Sequence, residues 1–142
     1  MKLQQTNRPS GYSGTPLAKK LGIKPGHRIK SVGAPHDYER LVAPLPSGVA
    51  ISGRFRGDVD IWHVFTKSRA TLRRDLERAI EEIRSNGAIW ISWPKKASGV
   101  PTDLTEDAIR ALALPLGLVD VKVCAIDETW SGLKLVIRKS LR

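Results

Sequence analysis

Two near-continuous apolar runs stand out in the middle of the chain. They cover residues 59–65 (VDIWHVF) and 88–93 (AIWISW), and both are rich in branched and aromatic side chains. A strand that is apolar on both faces is typical of a parallel sheet with helices on either side. The pattern therefore predicts two buried strands at the centre of the fold.

The segment between these runs has the spacing of an amphipathic helix. Ser68 is a favourable N-cap residue, and we predict a helix that ends at residues 86–87, Asn-Gly. The apolar positions recur every three or four residues: Leu72, Leu76, Ile80, Ile83. Arg78 and Glu82 are predicted on the polar side of this helix, four residues apart.

Shorter elements are predicted on either side. They are helices over 15–22 and 35–44, a strand over 28–33, a helix after Thr105, and an antiparallel pair over 118–126 and 133–139. Residues 48–52 are predicted as a short edge strand or no strand, because GRFRGD after them is too short for a parallel crossover between neighbours. The predicted fold class is α/β, a single shortened Rossmann-like three-layer sandwich over 15–142 with a C-terminal antiparallel strand.

The charge of the chain is concentrated near its start. The net charge is +10 over 142 residues, and residues 1–40 hold eight Lys and Arg against Asp37 and Glu39. We predict a flexible basic tail over 1–14, and such a surplus raises affinity for any polyanion. A single cysteine, no apolar run long enough to span a bilayer and no secretory signal favour a cytoplasmic location and exclude a membrane protein.

Several long motifs resemble known families. GYSGTPLAKKLGIKPG, WPKKASGVPTDLTEDAIR and GLVDVKVCAIDETWSGLKLV resemble a family of small bacterial proteins known as a domain of unknown function, and this likeness implies no activity. PLAKKLGIKPGHRIKSVGAP, GDVDIWHVF, SNGAIWISWPK and the C-terminal pair are also similar to successive signatures of class I S-adenosylmethionine (SAM)-dependent methyltransferases. This second resemblance implies a methyltransferase-type fold.

The methyltransferase-type fold places a glycine-rich cofactor loop after its first strand and a carboxylate after its second. Here the loop is VGAPHD, with Gly33 as its only glycine and with Pro35, which lacks an amide donor. Residues 52–54 are Ser-Gly-Arg instead of a carboxylate, and only 25 residues separate Gly33 from Val59. We therefore expect no cofactor, with SAM binding as the less favoured alternative.

In an open parallel sheet, ligands bind outside the carboxyl ends of the strands. The residues predicted there, which we call the strand-end rim, are Gly33, His36, Lys67, Ser68, Lys95, Lys96, Asp103, Asp127, Glu128 and Trp130. Together they could bind a small anionic ligand. Structural alternatives stay open: Ser68 is a routine cap, Asp103 could support the following helix, Asp127 and Glu128 could be turn residues, and Trp130 could anchor a hairpin.

No catalytic residue or metal ligand is predicted. The three histidines are far apart, and His63 lies mid-strand, where a core histidine is the favoured interpretation. A nucleophile pair of Cys124 and His63 is open in principle, although a buried, inert thiol is favoured. Trp93 lies next to Lys95 and Lys96, a combination that could stack on a nucleic-acid base.

Three functions follow from these patterns. The first is a non-catalytic binding or regulatory domain that uses the strand-end rim for a small anionic ligand or a protein partner. The second is a divergent SAM-dependent methyltransferase, and the third is a basic nucleic-acid-associated module. The composition and the motifs favour the first, a protein that is not an enzyme.

Overall fold

A computed structural model describes residues 14–142. The predicted basic tail, apart from Gly14, lies outside the described residues. The helices are α1 (Leu17–Leu21), α2 (Tyr38–Val42), α3 (Arg69–Glu82) and α4 (Glu106–Ala113). The strands are β1 (Arg28–Val32), β2 (Ala50–Ile51), β3 (Val59–Phe65), β4 (Ile83–Pro94), β5 (Leu118–Ala125) and β6 (Trp130–Ile137).

These strands form one sheet in the order β2-β1-β3-β4-β6-β5. Strands β2, β1, β3 and β4 are parallel, and β6 is antiparallel to both of its neighbours. The predicted fold class is therefore confirmed: a mostly parallel α/β sheet with an antiparallel C-terminal strand.

The weakest prediction concerned residues 48–52, which contain the two-residue edge strand β2. Strands β2 and β3 are not neighbours, because β1 lies between them. A strand of two residues advances only about 7 Å, so a few extended residues are long enough to bring the chain back to the amino ends of the strands, where β3 begins, without a helix.

The sheet is covered on both faces. Along β3, Ile61 packs on the face covered by α1 and α2, whereas Trp62 packs on the face covered by α3 and α4. The near-continuous apolar run of this strand is explained by that two-sided burial. Trp62 and Trp90 are both core residues, as predicted.

Helix α3 begins as predicted but ends earlier. The Ser68 hydroxyl accepts a hydrogen bond from the Thr71 N–H, so it is the N-cap. The helix ends at Glu82, and the predicted end at residues 86–87 is wrong, because Ile83 is already extended and pairs with Val59. Residues 84–87 form an irregularity before the strand pairing resumes at Ile61 and Ala88.

Glu82 is not on the polar side of α3, contrary to the prediction. Its side chain is buried, and Oε1 lies 2.6 Å from Lys30 Nζ and 2.8 Å from the Trp62 indole nitrogen. Burial alone would raise the pKa of Glu82, but the hydrogen bonds from Lys30 and Trp62 outweigh it and lower that pKa. Glu82 is therefore a buried carboxylate that ties α3 to β1 and β3.

Within residues 14–142, no helix has both the length and the apolar character needed to cross a membrane. The predicted cytoplasmic location is not tested by this observation. It stays a prediction.

Candidate functional site

The carboxyl ends of β1 and β3 meet at Gly33. This residue has φ +67, and a Cβ placed on it would lie 2.7 Å from the Phe65 carbonyl oxygen. A side chain at this position would require a shift of the backbone, because its Cβ would meet the Phe65 carbonyl oxygen, and the left-handed conformation adds strain. The loop after β1 thus packs directly against the end of β3.

The end of β4 and the turn before β6 lie beside this junction. The Phe65 and Trp130 rings meet edge to face, with centroids 5.1 Å apart. The Lys95 N–H donates to the Thr129 carbonyl oxygen at 2.7 Å. Asp127 Oδ1 accepts from the N–H groups of Thr129 and Trp130, both at 2.8 Å, so Asp127 shapes the turn that places Trp130.

A second group of rim residues surrounds the start of α3. The Asp103 N–H donates to the Lys67 carbonyl oxygen at 3.3 Å, and Asp103 Oδ1 accepts from the Arg69 N–H at 2.9 Å. Asp103 therefore supports the start of α3 rather than that of the following helix. Thr105 caps that later helix, α4, by accepting from the Ala108 N–H.

The remaining rim residues lie at the same edge. His36 is exposed in the loop between β1 and α2, Lys96 begins a short 3-10 turn, and Glu128 is exposed in the turn before β6. The structure thus brings the loops of the strand-end rim to one edge of the sheet. A ligand at this rim stays a prediction.

His63 is a core residue below this edge, as predicted. It is fully buried, its Nδ1 lies 2.8 Å from the Tyr38 hydroxyl, and its Nε2 lies 2.7 Å from Ser92 Oγ. Burial lowers the pKa of His63 to about 3. The imidazole is therefore neutral at physiological pH and serves packing, not proton transfer at the rim.

Two sequence-based alternatives are wrong. The strands β4 and β6 lie between β3, which carries His63, and β5, which carries Cys124, so these residues cannot form a nucleophile pair. Burial also raises the pKa of the Cys124 thiol. Trp93 is only 8% exposed and packs in the core, so it cannot stack on a nucleic-acid base.

A cleft of about 310 Å³ lies at the opposite edge of the sheet, near the amino ends of β3 and β4. We call it the amino-end cleft, and its lining residues with polar side chains are Lys24, His27, Asp60, Asn86 and Lys134. The sequence did not indicate this cleft, because its lining residues come from segments far apart in the chain. One signal was available: the predicted antiparallel pair could have placed Lys122 opposite Lys134.

No protein-family model matches the chain, and no curated protein matches its sequence significantly. Solved structures share its fold. A SAM-dependent methyltransferase from Aquifex aeolicus has a TM-score of 0.63 and 12% identity over 94% of this chain and 96% of that protein. A possible exported protein from Bordetella parapertussis has a TM-score of 0.62 and 11% identity over 85% of this chain and 66% of its own.

The tRNA methyltransferase TrmK from B. subtilis has a TM-score of 0.57 and 12% identity over 85% of this chain and 63% of its own. The chain thus spans less than two thirds of TrmK, and about that share of the Bordetella protein. At these identities the likeness is one of fold. The chain has the methyltransferase-like Rossmann fold that the sequence resemblance implied.

These comparisons correct our expectation about the cofactor. The chain also matches LepI solved with SAM, and a LepI variant solved with S-adenosylhomocysteine (SAH), with TM-scores of 0.54 and 0.52 over 39% of that protein. The expectation of no cofactor, which rested on the few glycines of the loop after β1, is wrong, because the solved structures that share this fold include a SAM-dependent methyltransferase and proteins solved with SAM or SAH. The one glycine of that loop, Gly33, has the left-handed conformation and packs against the Phe65 carbonyl oxygen.

Proposed function

We propose that this chain binds SAM at the carboxyl ends of β1, β2 and β3 and acts as a SAM-dependent methyltransferase. The observation that carries the proposal is the left-handed turn of Gly33 at the end of β1, within a fold that matches a solved SAM-dependent methyltransferase. The structural neighbours support this methyltransferase alternative better than the non-catalytic role that the sequence favoured. The non-catalytic role stays a prediction.

Two residues at these strand ends, Gly33 and Ser52, suit the cofactor. The positive φ of Gly33 turns the chain sharply after β1 and lets the loop pack against the Phe65 carbonyl oxygen, which keeps it at the strand ends where the fold family binds its cofactor. Ser52 follows β2 and offers a hydroxyl where the fold family has a carboxylate for the ribose. The Ser52 hydroxyl oxygen accepts a hydrogen bond from the Arg54 N–H at 3.0 Å. The hydroxyl proton of Ser52 therefore points away from Arg54 and is available to donate to a ligand.

Bound SAM would supply an electrophilic methyl group, and the strand-end rim would bind the methyl acceptor. Lys67 and Lys96 are exposed cations at this edge, so we propose an acceptor that carries a negative charge. Trp130, partly exposed and fixed by the Asp127 turn, offers a flat apolar surface beside them. His63 is buried and neutral below, so any proton must leave the acceptor to solvent or to another group.

Calorimetric titration with SAH at near-physiological salt tests the cofactor site. We expect micromolar binding to the wild-type chain and tighter binding, by about tenfold, to Ser52→Asp, because a carboxylate after β2 can accept from ribose hydroxyls. The matched control is Ser47→Asp, which adds the same charge before β2, at the opposite edge of the sheet.

Two results would contradict this proposal. One is the absence of heat with both the wild-type chain and Ser52→Asp at high protein concentration. The other is an equal effect of Ser52→Asp and Ser47→Asp, which would mean that the added charge acts without a defined site.

A further inference from the structure

The amino-end cleft lies far from the proposed cofactor edge. Ile61 lines the cleft and Thr66 follows the other end of the same strand, so the two sites are about 16 Å apart along β3. The cleft opens beside α1 and the middle of β6, away from the strand ends that form the proposed cofactor site.

Three lysines gather at this cleft. Lys24 and Lys134 line it, and Lys122 is the direct cross-strand partner of Lys134 in the pairing of β5 with β6. Like charges placed opposite each other on neighbouring strands are destabilising. Burial, and then the charges of Lys122 and Lys24, lower the pKa of Lys134. The lysines therefore repel one another at a partly desolvated position.

The described residues supply no ion-pair partner for these three lysines. Among the ion pairs formed by residues 14–142, none includes Lys24, Lys122 or Lys134. Asp60 also lines the cleft, but its carboxylate accepts from the Arg28 N–H at 2.8 Å and pairs with Arg84 Nε at 3.1 Å. An anion from outside would compensate the three positive charges.

The other polar groups in the cleft suit an oxyanion. His27 Nδ1 accepts from the Lys24 N–H at 3.1 Å, which leaves the Nε2–H of the ring to donate. Asn86 adds an amide that can donate. A Cβ on Gly87 would lie 2.8 Å from the Asp60 carbonyl oxygen, so the wall there must stay free of a side chain. Phosphoryl oxygens accept hydrogen bonds from such donors and bind lysine well.

We propose that the amino-end cleft binds a phosphoryl group through Lys24 and Lys134, with Lys122 adding charge from the neighbouring strand. This inference does not depend on the proposed SAM site. The volume of about 310 Å³ is at the lower end of small-ligand sites, so the phosphoryl group belongs to a small molecule or to one phosphodiester of a polynucleotide.

The test measures binding of two probes to the full chain. Inorganic pyrophosphate is titrated by calorimetry, and a fluorescein-labelled single-stranded oligoribonucleotide is titrated by anisotropy. The variants are Lys24→Gln and Lys134→Gln. The matched control is Lys139→Gln, which removes the same charge from an exposed residue outside the cleft.

We expect each cleft variant to weaken binding about tenfold, the effect of losing one charged hydrogen bond, and Lys139→Gln to leave it nearly unchanged. If the cleft variants lose pyrophosphate binding, the phosphoryl group belongs to a small molecule. Loss of binding by the oligonucleotide alone would assign it to a polynucleotide. Both results support the cleft.

The proposal is overturned if neither probe binds, or if Lys139→Gln weakens binding as much as the cleft variants. Thermal unfolding gives a second readout. Because Lys134→Gln removes like-charge repulsion, its Tm without ligand should equal or exceed that of the wild type, and a drop of several degrees would instead indicate a purely structural lysine. SAH binding by the same variants should not change, which separates this test from that of the methyltransferase proposal.

Discussion

Replacing Glu82 by Gln tests the buried pair of Lys30 and Glu82. Lys30 is only 3% exposed and its ammonium lies 2.6 Å from the Glu82 carboxylate. With Gln at this position, the Trp62 indole keeps an acceptor, but the Lys30 charge stays buried without a counter-charge. Removing one charge of a buried ion pair lowers the free energy of unfolding by about 3–5 kcal/mol. Because the Gln side chain can still hydrogen-bond to Trp62 and Lys30, we expect a loss near the lower end, about 3 kcal/mol.

Urea unfolding followed by tryptophan fluorescence measures this loss. With a typical urea dependence of about 1–3 kcal/mol/M, the midpoint should fall by about 1–3 M. Glu81→Gln is the matched control, since it removes the same charge from the neighbouring, exposed residue and should change the free energy of unfolding by less than about 0.5 kcal/mol. Equal losses in the two variants would refute the reasoning.

The pH dependence of Glu82→Gln provides a further check. The folded state holds the pKa of Glu82 below its ordinary value, so the stabilisation by the carboxylate is complete above the ordinary glutamate pKa of about 4.3. It is lost as the pH falls through the lower pKa of the folded state. The difference in the free energy of unfolding between wild type and Glu82→Gln should therefore become smaller below about pH 4. A gap that stays constant into strong acid would count against the ionised pair.

Two other predictions concern the proposed cofactor edge and the core below it. Gly33→Ala should lower the free energy of unfolding clearly more than Gly26→Ala. Both residues have positive φ, and the left-handed strain alone costs about 1–2 kcal/mol, but a Cβ meets the Phe65 carbonyl oxygen only at Gly33. Equal losses of the two variants in urea unfolding would argue against the close approach. The His63 ring should show no protonation by NMR between pH 8 and about pH 5, because burial lowers its pKa to about 3. Stability should fall as the pH drops below the ordinary histidine pKa of about 6.5, where the unfolded chain binds the proton first. A His63 titration near the ordinary value would show that the ring is not buried.

The sequence predicted the elements whose side chains have one clear environment. The run over 59–65 matches β3 residue for residue, because a strand covered on both faces needs apolar residues at nearly every position. Ser68 predicted the start of α3, because the capping hydrogen bond is local. The end of α3 was missed, because pairing of Ile83 with Val59, a long-range contact, overrides the helical pattern.

For the candidate site too, the sequence predicted what local signals decide and missed what long-range contacts decide. The sequence placed the rim residues at strand ends, and the sheet order brings those ends to one edge. It could not assign partners, because Asp103 supports Arg69 and Asp127 supports Trp130 through contacts that depend on the folded loops. It misjudged Glu82, whose helical position appeared polar, because the ammonium that makes its burial favourable lies on β1, 52 residues away.

The sequence by itself determined that this chain builds a two-sided α/β sheet, because periodicity, caps and turn residues are local signals. The methyltransferase-type fold was implied by the resemblance of its motifs. Only the tertiary structure decided which charges are compensated. Lys30 and Glu82 neutralise each other in the core, whereas Lys122 and Lys134 face each other at the amino-end cleft. Electrostatic energy depends on the distances between charges and on their exposure to water, and both exist only once the strands have paired and the helices have packed.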